Sequence, residues 1–284
     1  MKFLRTIILA LIFLLPVSNS FGAMITHNPN QTTLLTAGSL VAGVAFNSDG
    51  TKVFTSSTND PNFINEFSLS IPYDISSLAY TGDSERCDMG GRMEATPYDL
   101  EFSSDGMRFF IVTRNAGKNT ADHDKAYGFN LTSPYDVSTC TFASQTTDLD
   151  SPTFTSGSLA GDFDHAGKAN SKHRLQGIEI NNDGTKLFLI WFDHGNADIG
   201  ARLLEYTLST PYDLTTLSLV TTAGISFASP DVSSIYVRNP ASMRFSPNGK
   251  RIFITSHENA NAAVTQVSFT NSFDSSSFVI DGTV

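Results

Sequence analysis

Four times along this 284-residue chain, an alternating apolar stretch runs into Asp-Gly or Asn-Gly and then alternates again. The stretches read "VAFNSDGTKVF" from Val44, "LEFSSDGMRFF" from Leu100, "IEINNDGTKLF" from Ile178 and "MRFSPNGKRIF" from Met243. Such a dipeptide between alternating strands is a strong hairpin signal, because Gly, and Asn or Asp before it, accept the positive φ of a tight turn. Each unit therefore opens with two antiparallel strands. A third alternating run follows: "INEFSLS" (64–70), "AYGFNLT" (126–132), "LLEYTLS" (203–209) and "VTQVSFT" (264–270).

Each third run leads into another repeated phrase: "SIPYDISSLA" (70–79), "TSPYDVSTCT" (132–141), "STPYDLTTLS" (209–218) and a worn copy, "TNSFDSSSFV" (270–279). Pro cannot donate to a ladder and belongs at a strand's end, while Asp accepts bonds from the backbone of the turn. Tyr supplies an apolar plug. The phrase is thus turn chemistry joining the third strand to a fourth, for example "LSLVTT" at 217–222.

Four antiparallel strands per unit, repeated at intervals of tens of residues, indicate an all-β fold of β-propeller blades. The turn glycines Gly50, Gly106, Gly184 and Gly249 lie 56, 78 and 65 residues apart. The excess over a bare blade of ~40–45 residues falls at 82–95, 144–175 and 223–238. None of these insertions is long enough to hide another blade. The expectation is a single domain over 23–284 with four blades at about 40–81, 96–147, 174–222 and 239–284. "TTLLTAGS" (32–39) is expected to pair with the last blade and close the ring, removing a sheet edge.

The stretches "AFNSDGTKVF…EFSLSIPYDISSLAY" and "IEINNDGTKLF…LLEYTLSTPYDLTTLSL" resemble the repeats of secreted and phage-associated bacterial β-propellers, distant relatives of WD-type propellers. The resemblance spans nearly all of the chain after its first residues. It implies the fold and leaves function open. The fourth unit departs most, with Pro-Asn-Gly in place of Ser-Asp-Gly.

The chain begins "MKFLRTIILALIFLLPVSNSFGA". Lys2 and Arg5, the apolar run Ile7 to Leu15 and the small Ser18 and Ser20 form a secretory signal peptide over 1–22. The run is shorter than the ~20 residues that span a bilayer, so the expectation is an exported protein, periplasmic or extracellular, with no membrane span. A formal net charge of -10 with only 18 Lys and Arg argues against nucleic acid and anionic membranes as partners. The 22 Phe suit sheets, and no helical periodicity is sustained beyond the leader.

Propeller geometry sorts the connections. Asp-Gly and Pro-Tyr-Asp turns share one face; the second-to-third loops and the blade-joining insertions share the other. That second face collects Asn59, Asn115, Asp193 and Glu258, each nine residues beyond a turn glycine, with Asp60, Asp122, His123, Asp124, His194 and His257 beside them. The insertion adds Asp162, Asp164, His165, Lys172 and His173. These residues are either a ligand or metal site suited to Ca²⁺ or another divalent cation, or ordinary polar loop residues. "DFDHAGK" is not an EF-hand loop, since its twelfth position is His173.

A second constellation lies on the first strands. Five residues before each turn glycine stand Ala45, Glu101, Glu179 and Arg244; seven before stand Gly43, Asp99, Gly177 and Ser242. Charges lining an axial channel are costly unless paired. One reading is an inter-blade ion pair of Arg244 with a carboxylate. The other is an axial cation held by Asp99, Glu101 and Glu179, as in metal-dependent lactonase propellers, although no motif of that family is present. G-x-S-x-G, H-E-x-x-H, C-x-x-C and phosphate-loop signatures are absent. The leading function is a non-catalytic binding or scaffold module for a glycan, peptide or envelope protein, with the ligand on the insertion face. The alternative is a metal-dependent lactonase or other hydrolase at the axial mouth.

Cys87 and Cys140 are the only cysteines. Export favours a disulfide, but the topology places them on opposite faces, ~20 Å apart along an outer strand. Two free thiols are therefore expected.

Overall fold

The hairpin signals become strands in a computed structural model that describes residues 41–57, 63–90, 96–114, 125–147, 149, 173–193, 201–227, 237, 239–258 and 261–279. Blade 1 holds β1 (Val41–Phe46), β2 (Lys52–Ser57), β3 (Phe63–Leu69) and β4 (Leu78–Tyr80), with β5 (Cys87–Asp88) also on β3. Blade 2 holds β6 (Thr96–Phe102), β7 (Arg108–Arg114), β8 (Ala126–Asn130) and β9 (Thr141–Gln145). Blade 3 holds β10 (His173–Ile180), β11 (Lys186–Asp193), β12 (Arg202–Leu208) and β13 (Leu217–Leu219), with β14 (Ile225–Ser226) also on β12. Blade 4 holds β15 (Pro240–Phe245), β16 (Arg251–Glu258), β17 (Asn261–Phe269) and β18 (Phe278–Val279). All pairings are antiparallel and the four sheets form a four-bladed β-propeller. Residues 32–39, expected to close the ring, lie outside the described residues.

The Pro-Tyr-Asp phrase does structural work at every blade. Tyr73, Tyr135, Tyr212 and Phe273 all adopt positive φ, between 51° and 65°. Left-handed backbone in a bulky residue is strained, and two contacts hold it here. The aromatic N–H donates to the carbonyl of the turn glycine, from Tyr73 to Gly50 and from Tyr212 to Gly184 at 2.9 Å. The ring then lies flat on that glycine, leaving no room for a Cβ. In blades 1 and 3 the following Asp caps a short 3₁₀ turn: Asp74 Oδ1 accepts from the Ser76 N–H at 2.9 Å and Asp213 Oδ1 from the Thr215 N–H at 2.9 Å, whereas Asp136 of blade 2 accepts from Ser138 Oγ instead. The worn copy keeps this geometry, with Phe273 on Gly249 and Asp274 as the cap.

These turns also join blades. Lys52 pairs with buried Glu66 at 2.7 Å and donates to the Tyr135 carbonyl of blade 2 at 2.9 Å. Lys186 repeats the arrangement with Glu205 and the Phe273 carbonyl of blade 4, both at 2.7 Å. Glu205 Oε2 additionally accepts from the Ser275 N–H at 2.8 Å. Leu214 of blade 3 donates its N–H to Ser144 of blade 2 at 3.2 Å. Phe, Leu and Ile side chains fill the spaces between blades 1 and 2, 2 and 3, and 3 and 4.

One expectation fails. Cys87 and Cys140 are joined in a disulfide with Cα atoms 5.7 Å apart. The free-thiol expectation treated the outer strand as upright and the 82–95 insertion as free of it. Instead the fourth strand of blade 1 is split: the chain leaves β4 and returns as β5, where Cys87 pairs with Ile64. Right-handed twist accumulates across a sheet by roughly 20–25° per strand. The outer edge of blade 1 is thereby carried sideways onto the 3₁₀ turn Val137–Thr139 of blade 2, which ends at Cys140. Blade 3 splits in the same way, β14 returning from the 223–238 insertion to pair with Leu203.

Candidate functional site

The innermost strands β1, β6, β10 and β15 stand side by side in that order. Each carries a register shift at the same level, between Val41 and Val44, Pro97 and Asp99, Leu175 and Gly177, and Pro240 and Ser242. Such bulges re-aim side chains, and here they direct the residues seven before the turn glycine into the spaces between blades. Gly43 meets the Asp99 backbone so closely that a Cβ would stand 2.9 Å from its Cα. Glycine is required there to let the blades approach.

Asp99 takes the same position in blade 2 and is fully buried. It accepts from the Leu100 N–H of its own strand at 3.0 Å, the Ile178 N–H of blade 3 at 3.3 Å and Ser242 Oγ of blade 4 at 3.0 Å. Arg244 grips it with two parallel bonds, Nη1 to Oδ2 and Nη2 to Oδ1, both 3.1 Å. A planar guanidinium fork on a carboxylate is among the stronger protein hydrogen-bond pairs. Arg244 also donates to the Leu100 carbonyl at 2.7 Å and, across to blade 1, to the Val44 carbonyl at 3.0 Å. Its Nε lies 3.3 Å from Glu101 and its Nη1 3.3 Å from Glu179. One side chain thus touches all four blades.

Three carboxylates face one guanidinium, so full ionisation would leave two uncompensated negative charges. Burial shifts the balance of the two glutamates toward their protonated forms. Burial pushes Glu101 up to about 7; Arg244 pulls it down and the Asp99 charge adds to the rise. Burial lifts Glu179 well above the carboxylate range, helped by Glu101 and opposed by Arg244. Glu179 Oε1 stands 3.3 Å from Arg244 Nη1 without making a hydrogen bond. Burial disfavours the charge of Arg244, but Asp99, Glu101 and Glu179 more than offset it and keep it cationic. The paired reading of the axial residues is therefore the geometry present: Arg244 supplies the positive charge that the three carboxylates surround.

The insertion-face candidates are described only at strand ends. β10 begins at His173 and β11 ends at Asp193, which are cross-strand partners. In blade 4, His257 pairs with Ala262 and Glu258 with Asn261 at the same end. Asn59, Asn115, His123, Asp162, Asp164, His165 and His194 lie outside the described residues. Among the described residues no group of three His, Cys, Asp or Glu is arranged to hold a metal ion, and no helix is long and apolar enough to cross a membrane. The Lys52–Glu66 and Lys186–Glu205 pairs escaped sequence reasoning, although a basic residue two beyond the turn glycine recurs in every unit.

No family model and no curated protein matches this chain. Solved structures do. A protein from Lactobacillus plantarum is similar over 81% of this chain and 51% of its own, at 12% identity and TM-score 0.47. The periplasmic gluconolactonase of Pseudomonas aeruginosa is similar over 85% and 57%, at 14% identity and TM-score 0.46. A Swd1 β-propeller domain from Myceliophteria thermophila follows over 80% and 50%, at 8% identity and TM-score 0.40. The chain spans about half the length of these structures, and likenesses this distant carry neither ligand nor reaction across.

Proposed function

We propose that this protein is an exported, non-catalytic propeller, a binding or scaffold module that takes a glycan, peptide or envelope protein on its insertion face. The observation that carries the reading is the occupation of the hub by Arg244, bonded to Asp99 in two places and within 3.3 Å of Glu101 and Glu179. The axial carboxylates serve the fold, so selective chemistry falls to the opposite, variable surface. The Asp-Gly and aromatic turns build one face four times over from the same parts. Every connection that does not repeat leaves from and returns to the other end of the strands. The Cys87–Cys140 disulfide supports export, since such bonds persist in oxidising compartments.

Glycan and peptide arrays probed with the labelled protein test the reading. Binding is expected to fall at least tenfold when Asp162, Asp164 and His165 are changed together to Ala, and to survive Glu101→Gln. Absence of any array ligand, together with a divalent-ion-dependent lactone hydrolysis that Glu101→Gln abolishes, would refute it.

A further inference from the structure

Three of the four seams between blades are packed by one pattern. The aromatic residue four beyond the turn glycine packs on the next blade: Phe54 on Phe102 with ring centroids 4.6 Å apart, Phe110 on Tyr212 at 6.2 Å and Phe188 on Phe245 at 4.7 Å. Beside it Ile64, Ala126 and Leu203 of the third strands are completely buried. From the receiving blade, Leu100, Ile178 and Met243 are at most 1% exposed.

The seam between blades 4 and 1 carries the same residue types and, among the described residues, is open. On the blade 4 lip, Phe253 is 36% exposed and Val264 59%. On the blade 1 lip, Val44 is 49% exposed, Phe46 37% and Tyr73 59%. The lips meet near the axis, where Arg244 reaches the Val44 carbonyl. Beyond that point β1 has no extended contact with β15 or β16 among the described residues. Contiguous exposed apolar surface of this kind marks an interaction site.

We infer that this seam is an interface that takes a second copy of the chain, the blade 4 lip of one copy packing on the blade 1 lip of the other. The lips are complementary because each repeats half of an interface that the molecule already builds three times. At those packed seams sheet lies directly on sheet, so the occupant that reproduces their contacts is another blade of this repeat. Within one chain the lips stand apart while the hub fixes β15 to β1, so closing them would require the three packed seams to turn. Two chains meeting lip to lip leave those seams in place. Each chain carries one lip of each kind, so a two-fold pair satisfies both lips and leaves none to propagate. This interface is separate from the proposed ligand face.

Single-cysteine variants decide the matter, because Cys87 and Cys140 are already bonded. Phe253→Cys and Phe46→Cys chains, prepared separately and mixed under mild oxidation, are expected to give a cross-linked heterodimer. Light scattering on the unmodified protein should give twice the single-chain mass. Val264→Asp, at a site already open to solvent, should return it to the single-chain mass with its fold intact. A single-chain mass at every concentration would overturn the inference, whether residues 32–39 then cover the seam or not. So would a cross-link formed only inside a Phe46→Cys/Phe253→Cys double variant, which marks closure within one chain.

Discussion

Replacing Arg244 with Met removes the cation that touches all four blades and strands fully buried Asp99 and nearly buried Glu179 beside Glu101. Breaking a buried ion pair from one side costs about 3–5 kcal/mol. Arg244 itself is about one third exposed to the channel, and water entering there hydrates part of the freed charge, which places the cost near ~3 kcal/mol. In a domain of this size 1 kcal/mol moves Tm by roughly 2–4 °C, so a fall of about 6–12 °C is expected. The deficit should depend on pH in a definite direction. Burial raises the folded values of Glu101, to about 7, and of Glu179 above those of the unfolded chain. Their contribution to stability is therefore present below the unfolded pKa and is lost as pH rises through about 7 and beyond. Arg244 opposes both shifts, so without it the loss on the alkaline side deepens. Melting followed by circular dichroism should show a larger gap between variant and parent at pH 8 than at pH 5, and Glu101→Gln/Glu179→Gln in the Arg244→Met background should narrow it. A variant that melts within 2 °C of the parent at pH 8, or with the same deficit at both pH values, refutes this description of the hub.

Gly184→Val places a branched Cβ at φ +72° under the Tyr212 ring, and a loss of at least about 3 kcal/mol is expected in urea unfolding; melting within a degree or two of the parent would mean the turn is misassigned. Thiol titration of the denatured, unreduced protein should find no reactive group, and Cys87→Ser/Cys140→Ser should cost ~2–4 kcal/mol for a loop of this length; two reactive thiols would contradict the pairing. Phe188→Ala removes a fully buried ring and should cost about 3–5 kcal/mol, whereas Phe253→Ala at the open seam should cost well under half of that when measured on the dissociated chain.

The blades were legible because their signals are local. Asp-Gly between alternating runs, and an aromatic-Asp pair after the third run, state a turn without reference to the rest of the chain. Even "TNSFDSSSFV", which lacks the Pro and Tyr, keeps Phe273 at positive φ and Asp274 as a cap. The pairing of Arg244 with a carboxylate was also within reach, because strand offsets from a shared turn place Asp99, Glu101, Glu179 and Arg244 at neighbouring levels. That Arg244 would gather all three carboxylates and the carbonyls of two other blades was not, since the bulges that aim these residues leave no mark in the alternation. The disulfide was misread because sheet twist and the split fourth strand act across the outer edge, where spacing along the chain carries no distance. The open seam was hidden for a similar reason: repeats describe how each blade meets the next, and the total rotation emerges only when all are assembled.

Asp99, Glu101 and Glu179 are placed to hold Arg244 and not a metal ion. Calorimetric titration of Ca²⁺ and of Zn²⁺ into the protein and into its Glu101→Gln/Glu179→Gln variant tests this directly. Isotherms that do not differ between the two proteins are predicted. A stoichiometric binding event in the parent that the variant loses would contradict the account.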